Sequence, residues 1–73
     1  MNTGKILKER LNERDLVWIS YLAKGYTAKM LSEAIGIPES SINQTLYLIQ
    51  LKAGARNRTQ LVAQCARYKL IKV

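Results

Sequence analysis

The segment GIPESSINQTLYLIQLKAGARNRTQ, residues 36–60, decides how this chain folds. From Ile42 to Ala53 its apolar residues recur three or four positions apart, which is the spacing of a helix with one buried face. Glycines flank this run, and glycine commonly ends helices. Between Glu39 and Lys52 there is no charged side chain. The segment therefore predicts a helix that is buried on one face and uncharged on the other.

Two shorter helices are predicted before the long one. The first covers residues 13–24, with Asn12 as N-cap and Asp15 three positions later, a weaker form of the capping box. Trp18 falls on its apolar face and is expected in the core. The second covers residues 28–34 and is separated from the long helix by only about three residues. Such a closely joined pair is typical of a helix-turn-helix.

The rest of the chain also favours helices. The long helix is predicted to open near Pro38, a residue favoured in a first helical turn. A further helix follows the N-cap Asn57 and ends near residues 68–69. Residues 1–10 either form a short helix or stay loose, as chain ends often do. Because no strand pattern is present, we predict an all-α fold with a helix-turn-helix domain over residues 11–73 and an N-terminal extension before it.

The charge of the chain favours a polyanionic partner. Its 73 residues include 12 Lys and Arg against 5 Asp and Glu, which gives a net charge of +7. Nucleic acid is the first candidate and an anionic membrane surface the second, although surplus charge also keeps small proteins soluble. The interpretation from charge alone is therefore a polyanionic partner, with nucleic acid as the first candidate.

No pattern in the sequence predicts catalysis. The chain has no histidine, no glycine-rich phosphate loop and no Ser/His, Cys/His or metal-ligand spacing. We therefore expect no enzyme activity, no metal and no cofactor.

Cys65 is the single cysteine and is expected to be a small buried apolar residue. Neither a signal peptide nor an 18-residue apolar run is present. These features predict a cytoplasmic protein. Since a metal site and an internal disulfide are not expected, oligomerisation remains as a way to stabilise so small a domain.

Short motifs follow one another without a gap from residue 11 to about residue 67. They comprise a polar cap with an Arg-Asp pair and an apolar run closed by glycine, a scaffold helix, a long helix, and the phrase RNRTQLV, which is the most specific piece. The positions that align with these motifs are Asn12, Arg14, Asp15, Trp18, Ile19, Tyr21, Leu22, Ala23, Gly25, Thr27, Lys29, Leu31, Ser32, Ile37, Pro38, Ser41, Ile42, Lys52, Ala53, Asn57, Arg58, Leu61 and Val62. In this order they resemble the LuxR/GerE-type helix-turn-helix DNA-binding domain.

The resemblance implies a four-helix, all-α domain that binds double-stranded DNA. Its third helix would enter the major groove and its fourth would pair with a second copy, so that a homodimer reads an inverted repeat. The residues expected to form an exposed pairing stripe are Val62, Cys65 and Ala66, with Arg67 or Lys69. Most relatives carry a sensor or receiver domain, for which this chain has no room, so it resembles a stand-alone, nucleoid-associated regulator or else a fragment.

The sequence departs from the family where DNA would be read. Relatives often place Lys or Arg on the groove-facing side of the third helix, whereas this chain has none there. We expect base contacts from Asn43, Gln44 and Tyr47, because amides match the major-groove edge of adenine and a tyrosine can reach a phosphate or a thymine methyl. The residues expected to contact phosphates are Thr27, Lys29, Ser41, Lys52, Arg56 and Arg58. Further departures stand at Val17, Met30, Pro38 and Thr45.

A rival interpretation concerns the apolar residues of the third helix. Leu48 and Leu51, beside Tyr47, extend apolar surface beyond what a core needs. The N-terminal segment could enclose this surface, or the surface could bind a protein. In the second case the chain would be an adaptor or antagonist, for example of a larger LuxR-type regulator. Nonspecific binding to nucleic acid or to a membrane surface is the remaining alternative.

Roles that involve no DNA contact also stay open for the polar residues. Asn43 and Gln44 could simply be solvated. Lys52 could offset the negative end of its own helix dipole. Arg58 could form a structural ion pair with Asp15 or Glu33.

Overall fold

A computed structural model describes residues 3–72 and contains five α-helices in that range. In chain order they are α1 (Thr3–Arg10), α2 (Glu13–Ala23), α3 (Ala28–Ile35), α4 (Glu39–Ala53) and α5 (Arg58–Arg67). None of the described residues is in a strand. The prediction of an all-α fold is therefore confirmed, with one helix more than the four that the resemblance implied. Residues 1–2 of the predicted N-terminal extension, and residue 73, lie outside the described residues.

The additional helix is α1, at the N-terminus. Of the two options left open for this segment, the short helix is the one observed, and the loose segment is wrong for the described part. Leu7 on α1 is 2% exposed and Leu11 just after it is 3% exposed, and α1 packs against α4. Gly4 lies so close to Tyr68 that a Cβ at position 4 would come within 3.0 Å of the ring. The N-terminal segment therefore belongs to the common core.

The helices begin where local capping chemistry allows it. The Asn12 side chain accepts a hydrogen bond from the Asp15 backbone N–H at 2.8 Å, and Asp15 Oδ2 accepts one from the Asn12 backbone N–H at 3.1 Å, which completes a capping box. Thr27 and Asn57 cap α3 and α5 through one hydrogen bond each. These N-cap predictions are confirmed. Pro38 differs slightly, since it is the N-cap residue of α4 and not part of its first turn.

A tight turn joins α3 to α4 across residues 36–38. Gly36 has a φ of 73°, the left-handed conformation that glycine adopts without steric cost. Its backbone N–H donates to the Ser32 carbonyl at 2.9 Å, and the Ser32 hydroxyl donates to the carbonyl of Ile37. The turn is thereby fixed by hydrogen bonds at both ends, which sets α4 directly against α3.

One core joins the five helices, and α4 lies at its centre. α4 packs against α1, α3 and α5, while α2 packs against α5. The side chains with 0% exposure include Ile19 of α2, Leu31 of α3 and Leu61 of α5. Trp18 is buried as predicted. The residues of α4 that face this core are Ile42, Leu46, Ile49 and Ala53, none more than 9% exposed, and we call them the inner stripe.

Candidate nucleic-acid interface

The opposite face of α4 is open to solvent. On this face lie Gln44, Tyr47, Leu48 and Leu51, each of them three or four positions from another of the four, and we call these residues the outer stripe. The tyrosine and the two leucines are 52–54% exposed. The prediction that this helix has more apolar surface than the core needs is therefore confirmed. The stripe offers a carboxamide, a phenol and two aliphatic side chains, and it carries no charge at neutral pH.

Asn43, predicted to read bases beside Gln44, is separated from the outer stripe. It is partly buried, and its Oδ1 accepts a hydrogen bond of 2.8 Å from Arg58 Nη2 on α5. This donor fixes the orientation of the amide, because an arginine can only donate. The NH₂ group of Asn43 is therefore the part left to contact a base.

The same hydrogen bond corrects the alternative considered for Arg58. The ion pairs among the described residues that involve Asp15 use Arg14 and Lys52, whereas Arg58 bonds to an uncharged amide. Because Arg58 opens α5 and α5 packs on α4, its side chain reaches across to the first half of α4. A structural ion pair of Arg58 with Asp15 or Glu33 is therefore wrong.

Lys52 has a different partner from the predicted phosphate. Its Nζ donates to Oδ2 of Asp15, and Arg14 donates to Oδ1 at 3.2 Å. Burial alone would raise the pKa of Asp15, but hydrogen bonds from Lys52, the Asn12 backbone and Arg14, together with the Lys52 charge, outweigh it and lower that pKa. Lys52 thus ties the end of α4 to the start of α2. Its side chain is 40% exposed, so the predicted phosphate contact stays a prediction, in which a phosphate would compete with Asp15 for the ammonium group.

The other predicted phosphate contacts remain accessible. Thr27, Lys29, Ser41 and Arg56 are all exposed. The Thr27 oxygen already caps α3, but its hydroxyl hydrogen can still be donated. The backbone N–H of Arg56 donates to Gln60 Oε1 at 2.6 Å, which orders the loop after α4. These residues lie on α3, on α4 or directly beside them, so they can flank the outer stripe.

The predicted pairing stripe on α5 is only partly accessible. Cys65 is fully buried, which confirms it as a core residue and makes its place on an exposed stripe wrong; burial also raises the pKa of its thiol. It lies four positions after buried Leu61 and so shares its inward face. Val62 and Ala66 instead line an open groove of about 520 Å³ between α2 and α5.

The wall of this groove on α2 was not anticipated. It is formed by Leu22 and Ala23, which are half-buried and pack against the core. Lys69 lies beyond α5 and is exposed, with a left-handed φ of 59°. The backbone N–H of Leu70 donates to the Cys65 carbonyl at 2.8 Å across this residue. The chain therefore turns away from α5 at Lys69, where the predicted stripe ends.

The two long-range hydrogen bonds of the site were also missed. Lys52 and Asp15 are 37 positions apart, and Arg58 and Asn43 are 15 apart. No local pattern specifies contacts at such separations. The one available signal was Asp15 itself, since a carboxylate beside Trp18 on a buried helix face requires donors for its oxygens.

The described residues also lack features of other kinds of site. No group of three or more His, Cys, Asp or Glu within residues 3–72 could hold a metal ion. No helix in this range is long and apolar enough to cross a membrane. No protein-family model, curated protein or solved structure matches the chain.

Proposed function

We propose that this protein is a sequence-specific, DNA-binding transcriptional regulator of the LuxR/GerE type that inserts α4 into the major groove. The observation that best supports this is the α3–α4 pair: its second helix leaves one full stripe uncovered, as a recognition helix requires. The net charge of +7 provides the attraction to phosphates that such binding needs. The protein would act in the cytoplasm, at the nucleoid.

Base reading and phosphate binding fall to different residues in this proposal. Gln44 and Tyr47 contact base edges, and Asn43 adds a donor from the margin of the stripe. The phosphate contacts are Thr27, Lys29, Ser41 and Arg56. Arg58 and Lys52 act indirectly, since Arg58 orients Asn43 and Lys52 holds α4 against α2. Affinity then depends on salt, while specificity comes from uncharged groups.

Two copies are proposed to pair through α5. Val62 and Ala66 in the groove beside Leu22 and Ala23 supply an apolar surface for a second copy. Such a surface is small compared with stable dimer interfaces, which bury about 800 Å² per partner. The protein would therefore pair mainly when two copies occupy an inverted repeat.

Selection of bound duplexes from a random-sequence pool at about 150 mM salt, where nonspecific affinity is low, tests the proposal. We expect an inverted repeat to be enriched, with an adenine opposite Gln44 in each half-site. Gln44→Ala should relax the preference at that position. Val17→Ala, an exposed apolar position on α2, is the control and should leave the enriched sequence unchanged. A folded protein that enriches no sequence contradicts the proposal.

A second candidate function is a protein-binding adaptor or antagonist of a larger LuxR-type regulator. The exposure of Tyr47, Leu48 and Leu51 favours it, because contiguous exposed apolar side chains often mark protein contacts. Leu48→Asp would then abolish a protein complex that Gln44→Ala leaves intact. In a DNA-binding regulator, both substitutions weaken binding to the operator.

A further inference from the structure

The aliphatic part of the outer stripe has a chemistry that hydrogen-bonded base reading does not use. The side chains of Leu48 and Leu51 can neither donate nor accept hydrogen bonds, yet about half of each is exposed on the proposed reading face. The core does not need them, since the inner stripe already closes α4 against its neighbours. Their presence indicates an apolar partner on the reading face.

The major groove offers one apolar group, the C5-methyl of thymine. We infer that Leu48 and Leu51, together with the ring of Tyr47, form a surface that selects thymine methyl groups in the operator. The inference rests on the proposed function and deepens it. The half-site is then read in two ways, by the Gln44 amide and by burial of methyl groups.

The spacing along α4 fits this reading. Residues three positions apart on a helix are separated by about 4.5 Å along its axis. Successive bases on one DNA strand are separated by about 3.4 Å. Leu48 and Leu51 can therefore address neighbouring base pairs. Gln44 lies seven positions before Leu51, which leaves it to read a base pair further along the groove.

Charge favours DNA over a protein helix as the occupant of this surface. Exposed Lys29 on α3 and Arg56 after α4 can meet phosphates on either side. Asp15 is buried and paired. Glu39 lies seven positions before Leu46 and is thus in register with the inner stripe. No carboxylate therefore stands on the outer stripe to repel a phosphate backbone.

The experiment uses two selections from one random duplex library, prepared once with thymine and once with uracil, at about 150 mM salt. Uracil pairs with adenine and keeps the O4 acceptor but lacks the methyl. We expect the wild-type chain to enrich a thymine-containing site from the first library. Replacing each contacted thymine of that site by uracil should weaken binding about fourfold, the equivalent of about 0.8 kcal/mol for one buried carbon.

Matched variants assign the effect to the leucines. Leu48→Ala and Leu51→Ala should each lose the difference between thymine and uracil at one position of the site. Val17→Ala, with comparable exposure on α2, should keep the full difference. Because all three positions are exposed, circular dichroism should show the wild-type helix content for each variant.

The outcomes separate this inference from the function on which it rests. Equal binding to thymine and uracil forms of an enriched site, or an unchanged methyl effect in Leu51→Ala and Leu48→Ala, would overturn the inference and leave sequence-specific DNA binding intact. Failure of both libraries to yield a bound sequence would overturn both proposals. The outer stripe would then be assigned to a protein partner.

Discussion

The two stripes of α4 place similar side chains in opposite surroundings. Leu46 on the inner stripe is 0% exposed, whereas Leu48, two positions later on the outer stripe, is 52% exposed. Since the residue type is the same, surroundings alone decide what each leucine can do. The inner stripe stabilises the fold, and the outer stripe is available for contact. The helix α4 thus presents leucines to the core on one face and to solvent on the other.

One alanine substitution on each stripe tests whether only the inner stripe stabilises the fold. Leu46→Ala should lower the free energy of unfolding by about 3 kcal/mol, because it leaves a cavity in a closed core. Leu48→Ala should change it by no more than about 0.5 kcal/mol, since it removes surface that water already reaches. Denaturant unfolding of the two variants measures both effects. Equal losses would mean that the outer stripe is also part of the core.

A second prediction concerns the ion pair that fastens the end of α4. Lys52→Met should lower the free energy of unfolding by about 2 kcal/mol, because it leaves the Asp15 carboxylate buried without its main partner. The loss is below the range of about 3–5 kcal/mol for fully buried pairs, since the Lys52 side chain is 40% exposed and screened by water.

The control for Lys52→Met is Lys29→Met, which removes the same charge from an exposed position on α3. This variant should unfold at nearly the wild-type denaturant concentration, while its affinity for all DNA sequences falls. A stability loss as large in Lys29→Met as in Lys52→Met would show that net charge, and not the pair with Asp15, is responsible.

The same carboxylate predicts a pH dependence of stability. The pKa of Asp15 is lowered in the folded state, so the unfolded chain takes up a proton more readily. The stabilisation is fully present well above the unfolded pKa of about 3.9 and is lost as the pH falls through it towards the folded pKa. Unfolding curves of the wild type should therefore lose more stability between pH 5 and 3 than those of Asp15→Asn.

Local features of this chain could be predicted from its sequence, whereas contacts between distant residues could not. The helices and their caps were readable because Asn12, Thr27, Asn57 and the glycines act within a few residues of themselves. The two stripes of α4 were readable for the same reason, as periodicity is local. The helix before residue 11 was left open, because its formation depends on α1 packing against α4, a contact between distant parts of the chain that leaves Leu7 buried.

The site was harder to predict than the fold. Lys52 and Arg58 were expected at phosphates because they are basic and close to the reading helix, but folding brings each to a partner on another helix. Cys65 was placed on an exposed stripe because spacing along α5 does not state which neighbours cover it. Gln44 and the outer leucines were recognised since their exposure follows directly from the position of the inner stripe.

Asn43 lies between the inner and outer stripes of α4, so substitutions that affect it show whether the DNA-contacting surface extends beyond the outer stripe. Arg58→Leu should free the Asn43 amide and reduce discrimination at one base pair about fivefold, slightly less than a full bidentate contact gives, because only the Asn43 NH₂ group is left to contact the base. Adding Asn43→Ala should then cause little further loss, as expected for residues that act as a unit. Binding to operator duplexes that differ at one base pair measures both. If Arg58→Leu instead weakens all sequences alike and lowers the salt slope by about one, Arg58 contacts a phosphate.

The smallest change in stability is expected when a charge is added to the outer stripe. Leu48→Arg should leave the free energy of unfolding within about 0.5 kcal/mol of the wild type, since arginine is a good helix former and position 48 is exposed. Its affinity for DNA other than the operator should rise, with a salt slope steeper by up to about one unit, because arginine adds one positive charge that a phosphate can meet. Titrations at several salt concentrations measure this slope. The same substitution at Leu46 would bury a charge and prevent folding. If α4 accepts arginine at Leu48 but not at Leu46, its outer stripe is free for binding and its inner stripe is needed for stability.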